Sequence, residues 1–262
     1  MLLAIDIGNT SIHVGIFEKN VLESYFCLGS DKSRSGDEYA FTLKSLIEAE
    51  GYRADGFEGT IIGSVFPQIT SKIEYAVHKI TNLKPLMVGP GTKTGYHIKL
   101  DDPSELGADL VSNAAATIES VGAPAIIVDF GTATTVSCID REKAYVGCYI
   151  MPGIQMGLDA LNSTGLLPSV MADKLFPVVG KNSQDSMRAG VIFGAVLAAE
   201  GFIDTFKREF DLPKTTQIVV TGGFAEPFLS YFNLKVRHIP NLTLKGLNAI
   251  YNSNQGRSNL RK

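Results

Sequence analysis

Short apolar runs and polar breaks alternate along the chain in a regular grammar. Residues 2–7, 12–17 and 21–28 are rich in β-formers and are broken at Gly8-Asn9 and around 18–20, the pattern of three strands in an antiparallel meander. Over 37–50 the period changes: Phe41, Leu43, Leu46 and Ile47 recur at helical spacing, and Gly51 suits the C′ position. Residues 60–65 then read as a buried strand, 68–81 as a helix entered at Pro67, and 85–88 as another strand.

After a glycine-rich stretch at 89–95 and a helix at about 104–120, the same order restarts. Residues 125–129, 134–139 and 144–150 are again three consecutive strand-like runs. Helices follow near 153–162 and 185–210, then a strand at 217–220, the turn Thr221-Gly222-Gly223 and a last helix around 242–252. The restart is also visible residue by residue. Asp6-Ile-Gly8-Asn9-Thr10 is matched by Asp129-Phe-Gly131-Thr132, each after an apolar strand, with the two aspartates 123 positions apart. A period of nearly half the chain marks a duplicated domain rather than a solenoid. The expected division is 1–118 and 119–262; with no Pro- or Ser-rich linker, the halves are expected to share a long helix and an interdomain cleft.

Composition narrows the chemistry. Hydrophobic residues at 45% exclude a disordered chain, and a net charge of −3 leaves no basic footprint for nucleic acid or an anionic membrane. No window is read as a membrane span, and the first residues read as a strand rather than a signal peptide. The three cysteines, Cys27, Cys138 and Cys148, lack C-x-x-C spacing, which argues against a zinc knuckle or a disulfide framework and for a reducing cytoplasm. The four histidines never fall at i, i+4. Carboxylates and backbone amides remain.

Three segments carry them. In Asp6-Ile-Gly8-Asn9-Thr10, Gly8 is expected to take the positive φ of a tight turn, so that backbone N–H groups and the Asn9 and Thr10 side chains face a phosphate while Asp6 holds Mg²⁺; ordinary hairpin chemistry is the alternative. Thr221-Gly222-Gly223 follows a buried strand, where paired glycines let a nucleotide lie against the backbone or simply make a strand–helix turn. In Ser104-Glu-Leu-Gly107-Ala108-Asp109, Ser104 reads as an N-cap. Asp109 is suited either to take a proton from an alcohol attacking phosphorus or to complement the helix dipole. A P-loop at 87–94 is rejected, because Met87 and Thr92 stand where it needs glycine.

Together these residues resemble the type III pantothenate kinases, of the acetate-and-sugar-kinase/Hsp70/actin superfamily. The resemblance runs end to end and includes Asp6-x-Gly-Asn-Thr10, Gly89-Pro-Gly-Thr-Lys-Thr-Gly95, Gly107-Ala-Asp109, Val128-Asp-Phe-Gly-Thr-Ala-Thr-Thr135, Pro152-Gly153, Gly180-Lys-Asn182, Thr221-Gly-Gly223 and Leu242-Thr-Leu-Lys-Gly246. It implies an α/β fold of two duplicated ribonuclease H-like (actin-like ATPase) domains, each a mixed five-stranded sheet flanked by helices. It implies transfer of the ATP γ-phosphoryl group to pantothenate, the first step of coenzyme A synthesis.

Under this resemblance Asp109 is the general base. Asp6, Gly8, Asn9, Thr10, Thr132, Gly222 and Gly223 bind ATP, with Mg²⁺ at Asp6 and a monovalent cation, K⁺ or NH₄⁺, at Asp129. Leu100, Gly107, Ala108, Asp109, Leu110 and Ser183 face the acceptor, and the protein is a cytoplasmic homodimer with its acceptor pocket at the subunit interface. The chain departs from the family on the acceptor side. Leu110 replaces an arginine, Leu100 a tyrosine and Leu166 a common basic residue; Ser183 replaces threonine, and Tyr96 is a candidate to return a hydroxyl. Two further readings stay open on these residues: a kinase of another small hydroxy acid or amide, and a catalytically decayed nucleotide-binding regulator.

Overall fold

β1 (Leu2–Ile7) is buried along its whole length, as a nearly unbroken apolar run requires when both faces of a sheet are covered. It pairs antiparallel with β2 (Ser11–Glu18), which pairs antiparallel with β3 (Val21–Gly29). α1 (Gly36–Ala49) opens with a reciprocal capping box between Ser35 and Glu38. β4 (Gly59–Ser64) returns parallel beside β1. α2 (Pro67–Thr81) starts at its proline and stops at Asn82 in the left-handed region, and β5 (Leu86–Met87) adds a short parallel edge. The sheet order is β3-β2-β1-β4-β5.

β6 (His97–Ile98) and α3 (Ala108–Val121) follow, and then the order repeats. β7 (Ala125–Phe130), β8 (Ala133–Ile139) and β9 (Ala144–Pro152) form a second antiparallel meander. α4 (Ile154–Asn162), α5 (Ser183–Arg188) and α6 (Gly194–Glu209) lead to β10 (Gln217–Thr221), parallel to β7; α7 (Ala225–Phe228), β11 (Arg237–His238) and α8 (Leu242–Gln255) complete the chain order. The second sheet runs β11-β10-β7-β8-β9-β6. Its first five strands reproduce the first sheet position for position, which is the duplication read from the sequence. It has six strands rather than five because β6 pairs with β9 on the far edge. β6 and β11 are two residues each, too short for an alternation signal.

The computed structural model describes residues 1–163, 165, 168–172 and 177–255, in two units. The first comprises Met1–Tyr96, Asp101–Glu119 and the chain from Leu242 onward; the second comprises His97–Leu100 and Ser120–Asn241. Assigning 119–262 wholly to the second half therefore differs from the structure: α8 packs on the first sheet. Leu244, Leu247 and Ile250 of α8 bury with Leu2, Ala4 and Ile61, while Leu3, Ile5 and Ile7 on the opposite face bury with Leu43, Ile47, Ile73 and Val77 of α1 and α2. Each large aliphatic side chain so buried contributes about 1.5 to 3 kcal/mol. α8 also approaches α3 backbone to backbone: a Cβ on Gly246 would collide with the Ser112 carbonyl.

In the second unit, α5 and α6 run into each other through a π-helical turn, Ala189–Phe193. Its extra residue keeps one face inward, so that Met187, Ile192, Val196, Ala199, Ile203 and Phe206 all reach the core. The helix from Ser183 to Glu209 is long and apolar enough to cross a membrane by length and composition, which the sequence reading did not foresee. Its core stripe and the hydrogen bonds of Glu200 to Asn233 and Leu234 account for it as a helix of the folded unit.

Candidate active site

β1 delivers Asp6 to the carboxyl end of the first sheet, with only 8% of it exposed on a face otherwise lined by Leu2 and Ala4. The turn beyond it is tied from below. Gly8 N–H donates to Ser11 O at 3.0 Å, Ser30 Oγ donates to Gly8 O at 2.6 Å, and Ser30 N–H donates to Thr10 O at 3.0 Å. Asn9 and Thr10 stand exposed at the tip. The expectation of a positive φ at Gly8 is not met; close approach is what favours glycine there, since a Cβ would lie 3.1 Å from Ser11 O.

Asp109 sits in the same corner of the first unit. Gly63 is the partner of Asp6 across the β1–β4 pair, and Ala108 packs on Gly63, so the first turn of α3 lies one strand away from Asp6. α3 begins at Ala108, not Ser104. Asp102 takes the Ser104 N–H and hydroxyl to cap a separate short 3₁₀ turn, and extended backbone at Leu106 breaks it from α3. One Asp109 oxygen accepts the Leu110 N–H at 2.8 Å. Burial raises its carboxyl above the usual aspartate range, opposed by the N–H groups of Leu110 and of Asp109 itself. A carboxylate whose pKa is raised in this way is suited to accept a proton. Gly107 admits this arrangement, since a Cβ there would lie 2.5 Å from the Asp109 oxygen.

In the second unit β7 delivers Asp129, partly buried, and Thr132 stands exposed on the following turn. Thr221 is the partner of Asp129 across the β7–β10 pair, which brings the Gly222-Gly223 turn to the same strand end. Gly222 has φ +103°, and a Cβ on it would lie 2.5 Å from the Phe130 carbonyl and 2.6 Å from Asp129 Oδ1. Only glycine allows both. Gly153 has no room for a Cβ against the Thr132 carbonyl, which explains the Pro152-Gly153 pair.

On the acceptor side Leu100 and Leu110 are partly buried. Tyr96 is not a donor for substrate: its hydroxyl donates to Val111 O at 2.9 Å inside the α3–α8 core, and burial drives its pKa upward. Ser183 is exposed as the first residue of α5. Behind it Asn182 accepts the Asp185 N–H at 2.9 Å and donates to the Asp185 carboxylate at 2.7 Å. Leu166 lies outside the described residues.

Sequence reasoning missed His13. It is the cross-strand partner of Asp6, and its ring stacks on Tyr25 with Nδ1 2.8 Å from the Tyr25 hydroxyl. The available signal was its place in β2: a polar ring on an apolar strand, facing the same way as Asp6.

The donor set decides how metals fit. Among the described residues no group of three or more His, Cys, Asp or Glu converges. Oxygen from Asp6 alone suits a Mg²⁺ ligated mainly by nucleotide phosphate and water, and the Asp129 carboxylate, with the Phe130 carbonyl at the same turn, offers oxygen donors of the kind a hard cation takes.

The model of the type III pantothenate kinase family matches residues 2–205. A type III pantothenate kinase from Bacillus cytotoxicus is 40% identical over 255 residues, covering 97% of each chain. The chain belongs to the type III pantothenate kinase family. As such it is an ATP-using kinase, and its reaction is the phosphorylation of pantothenate in coenzyme A synthesis. Solved structures show the same fold at low identity. The activator of 2-hydroxyisocaproyl-CoA dehydratase from Clostridium difficile, with bound ADPNP, superposes with a TM-score of 0.57 at 10% identity over 100% of this chain and 98% of that one. The ROK hexokinase from Thermus thermophilus gives 0.53 at 14% identity over 97% and 99%. These likenesses establish duplicated ribonuclease H-like domains of the actin-like and sugar-kinase type.

Proposed function

We propose that this kinase places the ATP phosphates on the Asp6–Thr10 turn and uses Asp109 as its general base. The observation that carries the reading is the partly buried Asp109 carboxylate, raised in pKa, one strand from Asp6. As the primary hydroxyl of pantothenate attacks the γ-phosphorus, Asp109 takes its proton, the new P–O bond forms, and the bond to ADP breaks. Gly8, Asn9, Thr10 and Thr132 orient the phosphate chain, and Gly222 and Gly223 leave room for the nucleoside. When bound, Mg²⁺ at Asp6 and K⁺ or NH₄⁺ at Asp129 neutralise charge on the phosphates. Gly107, Ala108 and Ser183 border the acceptor.

Leu100 and Leu110 favour a weakened grip on the acceptor within this reading. Arginine at 110 would add a charge-assisted hydrogen bond that leucine cannot make. Leu110→Arg is expected to lower the KM for pantothenate about ten- to a hundredfold with little change in kcat, the span of one charged hydrogen bond. Steady-state kinetics at saturating ATP check this, and an unchanged KM would remove position 110 from the pocket.

A homodimer completes the proposal. Ile150, Met156, Val179 and Leu197 of the second unit are 68%, 49%, 74% and 46% exposed, apolar side chains that a second copy could cover. Cys27, Cys138 and Cys148 form no disulfide, which supports a cytoplasmic location. A pantothenate- and ATP-dependent assay of ADP release, with and without potassium, tests the reading.

A further inference from the structure

The phosphate turn of the first unit carries no lysine or arginine: Gly8, Asn9, Thr10 and Ser11 are all uncharged, and the chain as a whole is at −3. A triphosphate held there has only uncharged donors from the turn and gains from a further one nearby. β2 supplies one. Residues paired directly across an antiparallel ladder share a face, with Cβ atoms about 4.5 to 5.5 Å apart, so His13 stands beside Asp6 on the side Asp6 presents. The neighbours of His13 along the strand, Ile12 and Val14, are fully buried on the opposite face.

The ring is held in one orientation. Tyr25, on β3, stacks on it with centroids 5.9 Å apart and planes within 12°, and its hydroxyl lies 2.8 Å from Nδ1. With the hydroxyl donating to Nδ1, the ring proton resides on Nε2. The duplicated half has the same layout: the partner of Asp129 across β7 and β8 is Thr135, another hydrogen-bonding side chain opposite the strand-end aspartate. Both side chains are partly buried and so keep a surface that a ligand can reach.

We propose that His13 is a phosphate-binding residue of this kinase: its Nε2–H donates to the phosphate chain of ATP beside Asp6, and Tyr25 fixes the ring for that contact. The inference rests on the reading that the Asp6–Thr10 turn receives the ATP phosphates. It assigns Tyr25 a positioning role, exerted only through His13.

Calorimetric binding of MgATP and of adenosine to the full-length protein tests this on His13→Val, His13→Gln, Tyr25→Phe and Asp6→Asn. His13→Val is expected to weaken MgATP about ten- to a hundredfold, with adenosine affinity and Tm near wild type. His13→Gln, whose amide reaches to a similar position, recovers part of the loss, and Tyr25→Phe shows a smaller loss of the same kind. Wild-type MgATP affinity in His13→Val overturns the proposal. So does an equal loss of MgATP and adenosine, which marks a packing role, or a His13→Gln no better than His13→Val. If Asp6→Asn weakens MgATP while His13→Val does not, the phosphate-site reading stands and only the role of His13 falls. If Asp6→Asn binds MgATP as wild type does, both fall.

Discussion

Asp109→Asn is expected to lower the pantothenate-dependent turnover by about a hundred- to ten-thousandfold, the range a positioned general base contributes, while the protein becomes more stable at neutral pH. Both effects have one cause. The carboxyl is partly buried and its pKa in the folded protein lies above the unfolded value, so the ionised form is disfavoured by folding. The associated stability is fully present below the unfolded aspartate pKa, about 3.9, and is lost as pH rises through the higher folded value. At neutral pH asparagine removes that penalty and leaves the shape of α3 intact. Thermal unfolding should therefore show a higher Tm for the variant at pH 7, with the difference shrinking toward pH 3. The same shift predicts that wild-type kcat/KM falls in acid through a single ionisation above the ordinary aspartate range. A variant with wild-type turnover, or less stable than wild type at pH 7, would contradict this account of Asp109.

Gly222→Ala is expected to be strongly destabilising in the second unit. At φ +103° an L-residue is strained by about 1 to 3 kcal/mol, and the new Cβ would lie 2.5 Å from the Phe130 carbonyl, a backbone atom that cannot rotate away. Overpacking adds about 1 to 3 kcal/mol. Together these predict a loss of about 2 to 6 kcal/mol, seen as a Tm lower by on the order of 10 °C. The clash also falls on Asp129 Oδ1, 2.6 Å away, so whatever folded protein remains should show a weakened response to potassium. Gly223→Ala is the control, since a Cβ there meets nothing within 4 Å. Equal thermal stability of the two variants would show that the β10 exit does not cross the end of β7 as described.

Much of this was legible in the residues. Asp6-x-Gly8 and Asp129-x-Gly131 recur after apolar strands because the same strand–turn–strand unit is used twice, and two sheets of matching order are the consequence. What stayed hidden was set by long-range packing. The apolar stripe of α8 states that it covers a sheet but not which one, and the first sheet is chosen through contacts such as Gly246 against Ser112. Ser104 looked like the cap of α3, but Asp102 takes its N–H and its hydroxyl, and such local side-chain competition is not visible in spacing. Tyr96 had a hydroxyl to offer until the structure placed it on Val111 O. His13 went unread because only the register of β1 against β2 sets it opposite Asp6.

The most direct test of the central claim follows both products of the wild-type reaction, by quantifying ADP and 4′-phosphopantothenate from ATP and pantothenate in the presence of Mg²⁺, with and without potassium. The account predicts equimolar appearance of the two products, stimulated by potassium and dependent on pantothenate. ADP formed at the same rate without pantothenate, or no ADP with pantothenate but turnover with another small hydroxy acid or amide, would contradict it.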